Sequence, residues 1–253
     1  MSSVDFQMNT EEFLVCDRLR KMKMSFMAEA YEQQLENPNA DLAPFSQRFS
    51  DIVEREWQAR YDRKLARFIK DAHIRYPSAD FDETLQDPER MLDVATIESL
   101  ANCEWITQGK SLIITGATSS GKSYLASCFC VAAVSQFLRV RYIKASILMS
   151  EMARAEDEGT QLDYLNKLAK LDLLVIDDFG LMYLDLDKCR YLFEVIDSRE
   201  GRRSTMVISQ FPVESWFDMF ADSTYADACL SRLTDKRNTY RLQMNGKSMR
   251  EGA

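Results

Sequence analysis

The sequence predicts an α/β protein, a parallel five-stranded sheet with helices on both faces, preceded by a small all-helical N-terminal domain. Three observations carry this. From Gln108 onward, short β-branched apolar runs alternate with amphipathic helical patterns. Those runs are apolar on successive residues, as in strands covered on both faces. Before about residue 75, apolar residues recur at spacings of three and four, with no strand pattern. The 253 residues, 46% apolar and 28% charged, suffice for one large core and a smaller appendage.

Taken in order, residues 1 to about 40 read as helical through Phe13, Leu14, Leu19, Met22, Phe26, Met27, Ala30, Tyr31 and Leu35, until Pro38 and Asn39 break the pattern. A second helix of roughly 30 residues starts near Pro44, with one apolar stripe running from Phe45 through Trp57 to Ile69. Pro77 is expected to end it. The expected domains are a helical domain over 1–75, an acidic linker with some helix over 76–107, and the α/β core over 108–253. Within the core the expected strands are Ser111–Thr115, Val140–Lys144, Leu173–Asp177, Thr205–Ser209 and Thr239–Met244. The expected helices are Lys122–Leu138, Ser146–Glu156, Thr160–Leu168, Leu186–Arg199, Val213–Phe220 and Tyr225–Lys236.

Composition excludes several classes of function. No apolar run approaches the roughly 18 residues that cross a bilayer, so no membrane role is expected. The N-terminus has neither a basic nor an apolar leader segment, and a cytoplasmic location is expected. The six cysteines form no CxxC pair and read as free thiols. His73 is the one histidine, which removes every mechanism needing two. The net charge of −8 argues against nucleic acid, but its distribution does not. Residues 76–104 hold eight acids and one base, whereas 55–75 holds seven bases and three acids, and 232–250 six bases and one acid. Such basic stretches read as solvated faces or as phosphate-backbone contacts.

The chemistry concentrates in two motifs. Leu112-Ile-Ile-Thr runs into Gly116-Ala117-Thr118-Ser119-Ser120-Gly121-Lys122-Ser123-Tyr124, a full GxxxxGK[ST] between a strand and a helix. Gly116 and Gly121 allow a tight turn whose N–H groups face phosphate oxygens, reinforced by the positive end of the following helix. Lys122 places charge on the β- and γ-phosphates, and Ser123 offers a hydroxyl to Mg²⁺. ATP and Mg²⁺ are therefore the expected cofactors. The second motif is Leu173-Leu-Val-Ile-Asp177-Asp178, an apolar strand ending in two carboxylates, where open α/β sheets place their ligands. Asp177 suits the Mg²⁺ shell and Asp178 the polarisation of an attacking water. Gln210, after the fourth strand, is either a water-orienting side chain or a polar strand end. Arg232 is either a solvated charge or an arginine finger acting on a neighbour's ATP.

With these residues in place, the chain resembles the IstB-type transposition helper ATPases, a DnaC-like branch of the AAA+ ATPases. The resemblance rests on the phosphate loop, Val175-Ile-Asp177-Asp178-Phe-Gly180, Arg202-Arg203-Ser-Thr-Met-Val-Ile-Ser209-Gln210, Leu230-Ser-Arg232-Leu and Gly246-Lys-Ser-Met-Arg250. The N-terminal Met27-Ala-Glu-Ala-Tyr and Glu54-Arg-Glu-Trp segments are similar to that family's leading helical domain. It implies an ATPase that forms a homo-oligomer with ATP on double-stranded DNA, remodels the DNA, and recruits or activates a partner transposase. It also places Arg250 near the phosphates and DNA contacts around Arg141, Lys144 and Arg154. Asp178 stands where that family commonly has Glu, and Gln210 where it has Asn, which bears on turnover. The chain runs nine residues past the last expected strand, leaving none for a helical lid. A neighbouring subunit is therefore expected to complete the pocket. The alternative readings are a DnaC-like replicative helicase loader and a small-molecule kinase with the same phosphate loop.

Overall fold

The computed structural model describes residues 8–85 and 93–244. The chain divides into two compact units, Met1–Ala66 and Arg67–Ala253.

The first unit is helical. Helix α1 (Thr10–Lys21) starts at a reciprocal cap: Glu12 N donates to Asn9 Oδ1 at 2.9 Å and Asn9 N donates to Glu12 Oε2 at 2.8 Å. The single helix expected here is two. Lys23 turns to φ 60°, and α2 (Ser25–Glu36) restarts in a new direction. No side chain of its own caps α2. Its first N–H groups are met by Glu56 from α3 (Phe45–Ala72), with Phe26 N and Met27 N donating to Glu56 Oε2 at 3.0 and 3.1 Å. Arg60 Nε donates to the same carboxylate at 2.7 Å. Helix α3 stops earlier than Pro77 requires, because His73 adopts φ 52° and closes the last turn.

The second unit contains α4 (Phe81–Leu85), α5 (Val94–Ala101) and α6 (Glu104–Thr107), then β1 (Ser111–Gly116), α7 (Lys122–Ser135), β2 (Val140–Lys144), α8 (Ala145–Asp157) and α9 (Gln161–Ala169). It continues with β3 (Leu173–Phe179), α10 (Leu186–Asp197), β4 (Ser204–Ser209), α11 (Ser223–Leu233) and β5 (Thr239–Met244). All pairings are parallel, in the order β2-β3-β4-β1-β5, so the fold class is the one expected. The period-2 pleat sends Leu112 and Ile114 to one core with Leu125, Phe129 and Val134 of α7. Ile113 goes to the other, with Leu148, Met152, Leu192 and Val195 of α8 and α10.

Two expectations are corrected. Residues 97–106 of the segment expected as an acidic linker with some helix are built into the core. Ile97, Leu100, Trp105 and Ile106 are buried with Leu112 and Phe129, and the Trp105 ring meets Phe129 edge-on at 6.4 Å. Among the described residues the segment's acids Asp80, Asp82, Asp93, Glu98 and Glu104 are exposed, and acids dominate its composition. The helix expected over Val213–Phe220 is two short 3-10 turns, Val213–Ser215 and Phe217–Met219. The backbone there is used otherwise: Leu184 N donates to Met219 O at 2.9 Å and Ala221 N to Leu184 O at 2.8 Å.

Candidate nucleotide site

Both glycines of the phosphate loop are required by geometry. Gly116 has φ 152°, and a Cβ there would lie 2.4 Å from the carbonyl oxygen of Met244 on the neighbouring β5. Gly121 has φ 89° and starts α7, whose N-terminus therefore points into the loop. Between them Ser119 also takes a left-handed conformation, φ 64°, so Ala117, Thr118, Ser119 and Ser120 form a tight arch. Lys122 Nζ donates to Ala117 O at 2.6 Å, across the mouth of that arch. Burial lowers the pKa of this ammonium, against the opposing pull of Asp177 and Asp178.

The second motif arrives beside it through the strand order. A register shift between Ile176 and Phe179 breaks the pairing of β3 with β4 at the two acids. Asp178 takes φ 57°, which separates the two side chains. Asp177 is 1% exposed and turned inward. Its Oδ2 accepts from Ser123 Oγ at 3.0 Å, from the Tyr142 hydroxyl, and from Arg75 at 3.3 Å, while Oδ1 accepts from Asp178 N at 2.7 Å. Asp178 is more open and pairs with Lys144 Nζ at 2.7 Å. Gln210 stands across the loop, accepting from Thr118 Oγ1 at 2.6 Å. Arg75, Lys122, Ser123, Asp177, Asp178 and Gln210 line a cavity of about 480 Å³ at the carboxyl ends of β1, β3 and β4. Tyr124 lines it too, its ring 5.6 Å from that of Tyr76.

Over residues 17–252 the sequence matches the family described as IstB-like ATP binding protein. The chain belongs to that family. The IstB-like chain is 33% identical to an insertion sequence ATP-binding protein of Sinorhizobium fredii over 234 residues, 92% of this chain and 94% of that one. It is 34% identical to the ATP-binding protein of insertion sequence IS1162 of Pseudomonas fluorescens over 195 residues, 77% and 84% of the two chains. Among solved structures, AMPPCP-bound DnaA from Aquifex aeolicus superposes with TM-score 0.54 at 16% identity, over 66% of this chain and 50% of that one. DnaI superposes with TM-score 0.53 at 17% identity, over 66% and 92%. At such identity these establish the AAA+ fold. The IstB-like chain is thus an ATPase of the AAA+ class, and the kinase reading falls away.

The remaining expected site residues of this IstB-like protein lie elsewhere. Arg232 is far from its own chain's phosphate loop, beside a small cavity lined by Ser111, Thr205 and Thr239 at the opposite ends of the strands. There it pairs with Asp197 at 2.9 Å and Glu200 at 2.8 Å and covers the Phe193 ring. Arg141 is paired with Glu151 at 2.8 Å, Lys144 is exposed and paired with Asp178 at 2.7 Å, and Arg154 is exposed on α8. Arg250 lies outside the described residues. Sequence reasoning missed Arg75 and Tyr142. Neither sits in a motif; Tyr142 reaches Asp177 through the β2–β3 register, which pairs Tyr142 with Val175 and Lys144 with Asp177. Among the described residues no helix is long and apolar enough to cross a membrane.

Proposed function

We propose that the chain is the ATP-dependent helper of an insertion sequence. With Mg·ATP bound it assembles as a homo-oligomer on double-stranded DNA, remodels that DNA, and recruits or activates a partner transposase. The observation that carries this is the convergence of Lys122, Ser123, Asp177 and Asp178 on one cavity in an IstB-like chain whose relatives belong to insertion sequences.

The donor set suits Mg²⁺. Ser123 Oγ and the buried Asp177 carboxylate lie 3.0 Å apart at the exit of the phosphate loop. Among the described residues no larger cluster of carboxylates, cysteines or histidine surrounds them. That is what Mg²⁺ takes: one carboxylate, a hydroxyl, phosphate oxygens and retained waters. Bound there, the ion would neutralise charge on the β- and γ-phosphates. Lys122 would hold the same oxygens, Asp178 would take the proton of the attacking water, and Gln210 would orient that water. Lys144 holds Asp178 in an ion pair, so the base must be released before it works. Arg232 is too far from its own chain's loop to serve it, so a finger role requires a second copy. The exposed Arg154, with Arg141 and Lys144, belongs to the proposed DNA-facing side, and Arg250 to the phosphates.

The test is ATP turnover with and without duplex DNA, paired with anisotropy of labelled duplex across a salt series. Turnover should rise with DNA, and DNA binding should need ATP and weaken with salt as counterions are released. Asp178→Asn should bind ATP and DNA yet lose turnover. Equally tight DNA binding without nucleotide overturns the coupling, and normal turnover by Asp178→Asn removes that residue from the reaction.

A further inference from the structure

Arg75 follows the end of α3 by three residues and returns to the nucleotide cavity as part of its wall. Its guanidinium lies 3.3 Å from Asp177 Oδ2 and 3.4 Å from Ser123 Oγ. Those two oxygens are the pair assigned above to the metal. A fixed positive charge therefore stands within hydrogen-bond reach of both metal-binding groups. The side chain is 37% exposed, so it can swing outward without opening the core. Its guanidinium carbon lies over the Tyr76 ring, 5.6 Å from the ring centre. Asp177 itself stays in place, because Tyr142 and the N–H of Asp178 hold it independently.

A guanidinium and Mg²⁺ cannot both sit against one carboxylate oxygen without repulsion. We propose that Arg75 is an internal rival of the metal ion. It neutralises Asp177 so that a triphosphate can enter without metal, and it gives way to Mg²⁺ when the ion is bound. Arg75 thereby sets the metal concentration at which the site becomes competent. The inference rests on the reading of Ser123 and Asp177 as the Mg²⁺ site.

The test uses the full chain, a fluorescent ATP analogue, and binding rather than turnover as its readout. Analogue affinity is measured in EDTA and across a Mg²⁺ series for wild type, Arg75→Gln and Arg75→Lys. Removing a partly exposed cation should shift each quantity by about fivefold. Arg75→Gln should bind the analogue more weakly in EDTA, and its half-saturating Mg²⁺ should fall. Arg75→Lys should stay close to wild type on both. A merely structural Arg75 predicts the opposite sign for the metal, since a loosened Asp177 would need more Mg²⁺. An unchanged or raised Mg²⁺ midpoint, or unchanged affinity in EDTA, overturns the proposal. Should Arg75→Gln melt early, Arg75→Met keeps the packing on Tyr76 and carries the same test. Wild-type binding that ignores Mg²⁺ throughout would sink the metal-site reading itself, a separate result from a variant matching a Mg²⁺-responsive wild type.

Discussion

Asp177 receives side-chain hydrogen bonds from α7, from β2 and from the turn after α3, through Ser123, Tyr142 and Arg75. Of these, Tyr142 is 7% exposed, does not line the cavity, and donates its hydroxyl to Asp177. On the proposed reading it acts as a positioning residue, fixing the carboxylate that would face the metal. Tyr142→Phe should retain ATP binding in EDTA but raise the half-activating Mg²⁺ by about tenfold, the scale of such outer-shell losses. That is opposite in sign to the effect expected at Arg75. A Mg²⁺ titration of turnover, with nucleotide binding in EDTA beside it, checks this; an unmoved metal midpoint would leave Tyr142 a packing residue. Ser123 and Asp177 were readable because spacing announces them. Tyr142 was not, since a tyrosine on a buried strand reads as core until the neighbouring strand's register is known.

Among elements, α2 depends most visibly on another helix. Glu56 is 6% exposed and supplies from α3 the cap that α2 lacks. Burial raises its pKa, but the Arg60 hydrogen bond and the N–H groups of Met27 and Phe26 outweigh it, and the carboxyl titrates below the ordinary glutamate value. A depressed folded-state pKa stabilises above the unfolded-state value and stops doing so as pH falls through the folded one. Glu56→Gln should therefore lower stability by about 2 kcal/mol at neutral pH, the scale of lost charged hydrogen bonds. The gap to wild type should close toward pH 3. Urea melts followed by circular dichroism at several pH values check this; a pH-independent gap would mean that charge is not the cause. The periodicity that predicts α3 marks its apolar stripe but does not say that an acid on that helix caps a different one. Nor did it reveal the break at Lys23, where the apolar spacing continues on both sides of a left-handed turn.

For the whole molecule, the informative distance is between Arg232 and the phosphate loop. The finger candidate and the nucleotide cavity lie at opposite ends of one parallel sheet, so Arg232 cannot reach the phosphate loop of its own chain. If Arg232 acts on a neighbour, Arg232→Ala should bind ATP normally and turn over roughly 10³-fold more slowly. Lys122→Ala should fold but fail to bind ATP. Mixed oligomers of the two contain interfaces that join an intact site to an intact finger, and activity should partly return. Turnover of the mixture against each variant alone measures this. No recovery, with co-assembly confirmed, would return Arg232 to its visible role as the partner of Asp197 and Glu200.

By itself the sequence determined the five strands, the phosphate loop, the paired carboxylates and the family, because each is written in contiguous residues. Alternation, glycine spacing and an apolar run ending in acids are local patterns, and local sterics and burial enforce them. Only the tertiary structure decided which strands are neighbours, and with that everything depending on proximity across the chain. The order β2-β3-β4-β1-β5 sets Lys144 beside Asp178 and Tyr142 beside Asp177, and the turn after α3 brings in Arg75. It also moved residues 97–106 from an expected linker into the core, since two helical turns carry their acids outward and their apolar residues inward. Average charge cannot register that division, because it depends on which way each side chain faces and not on how many acids a segment holds.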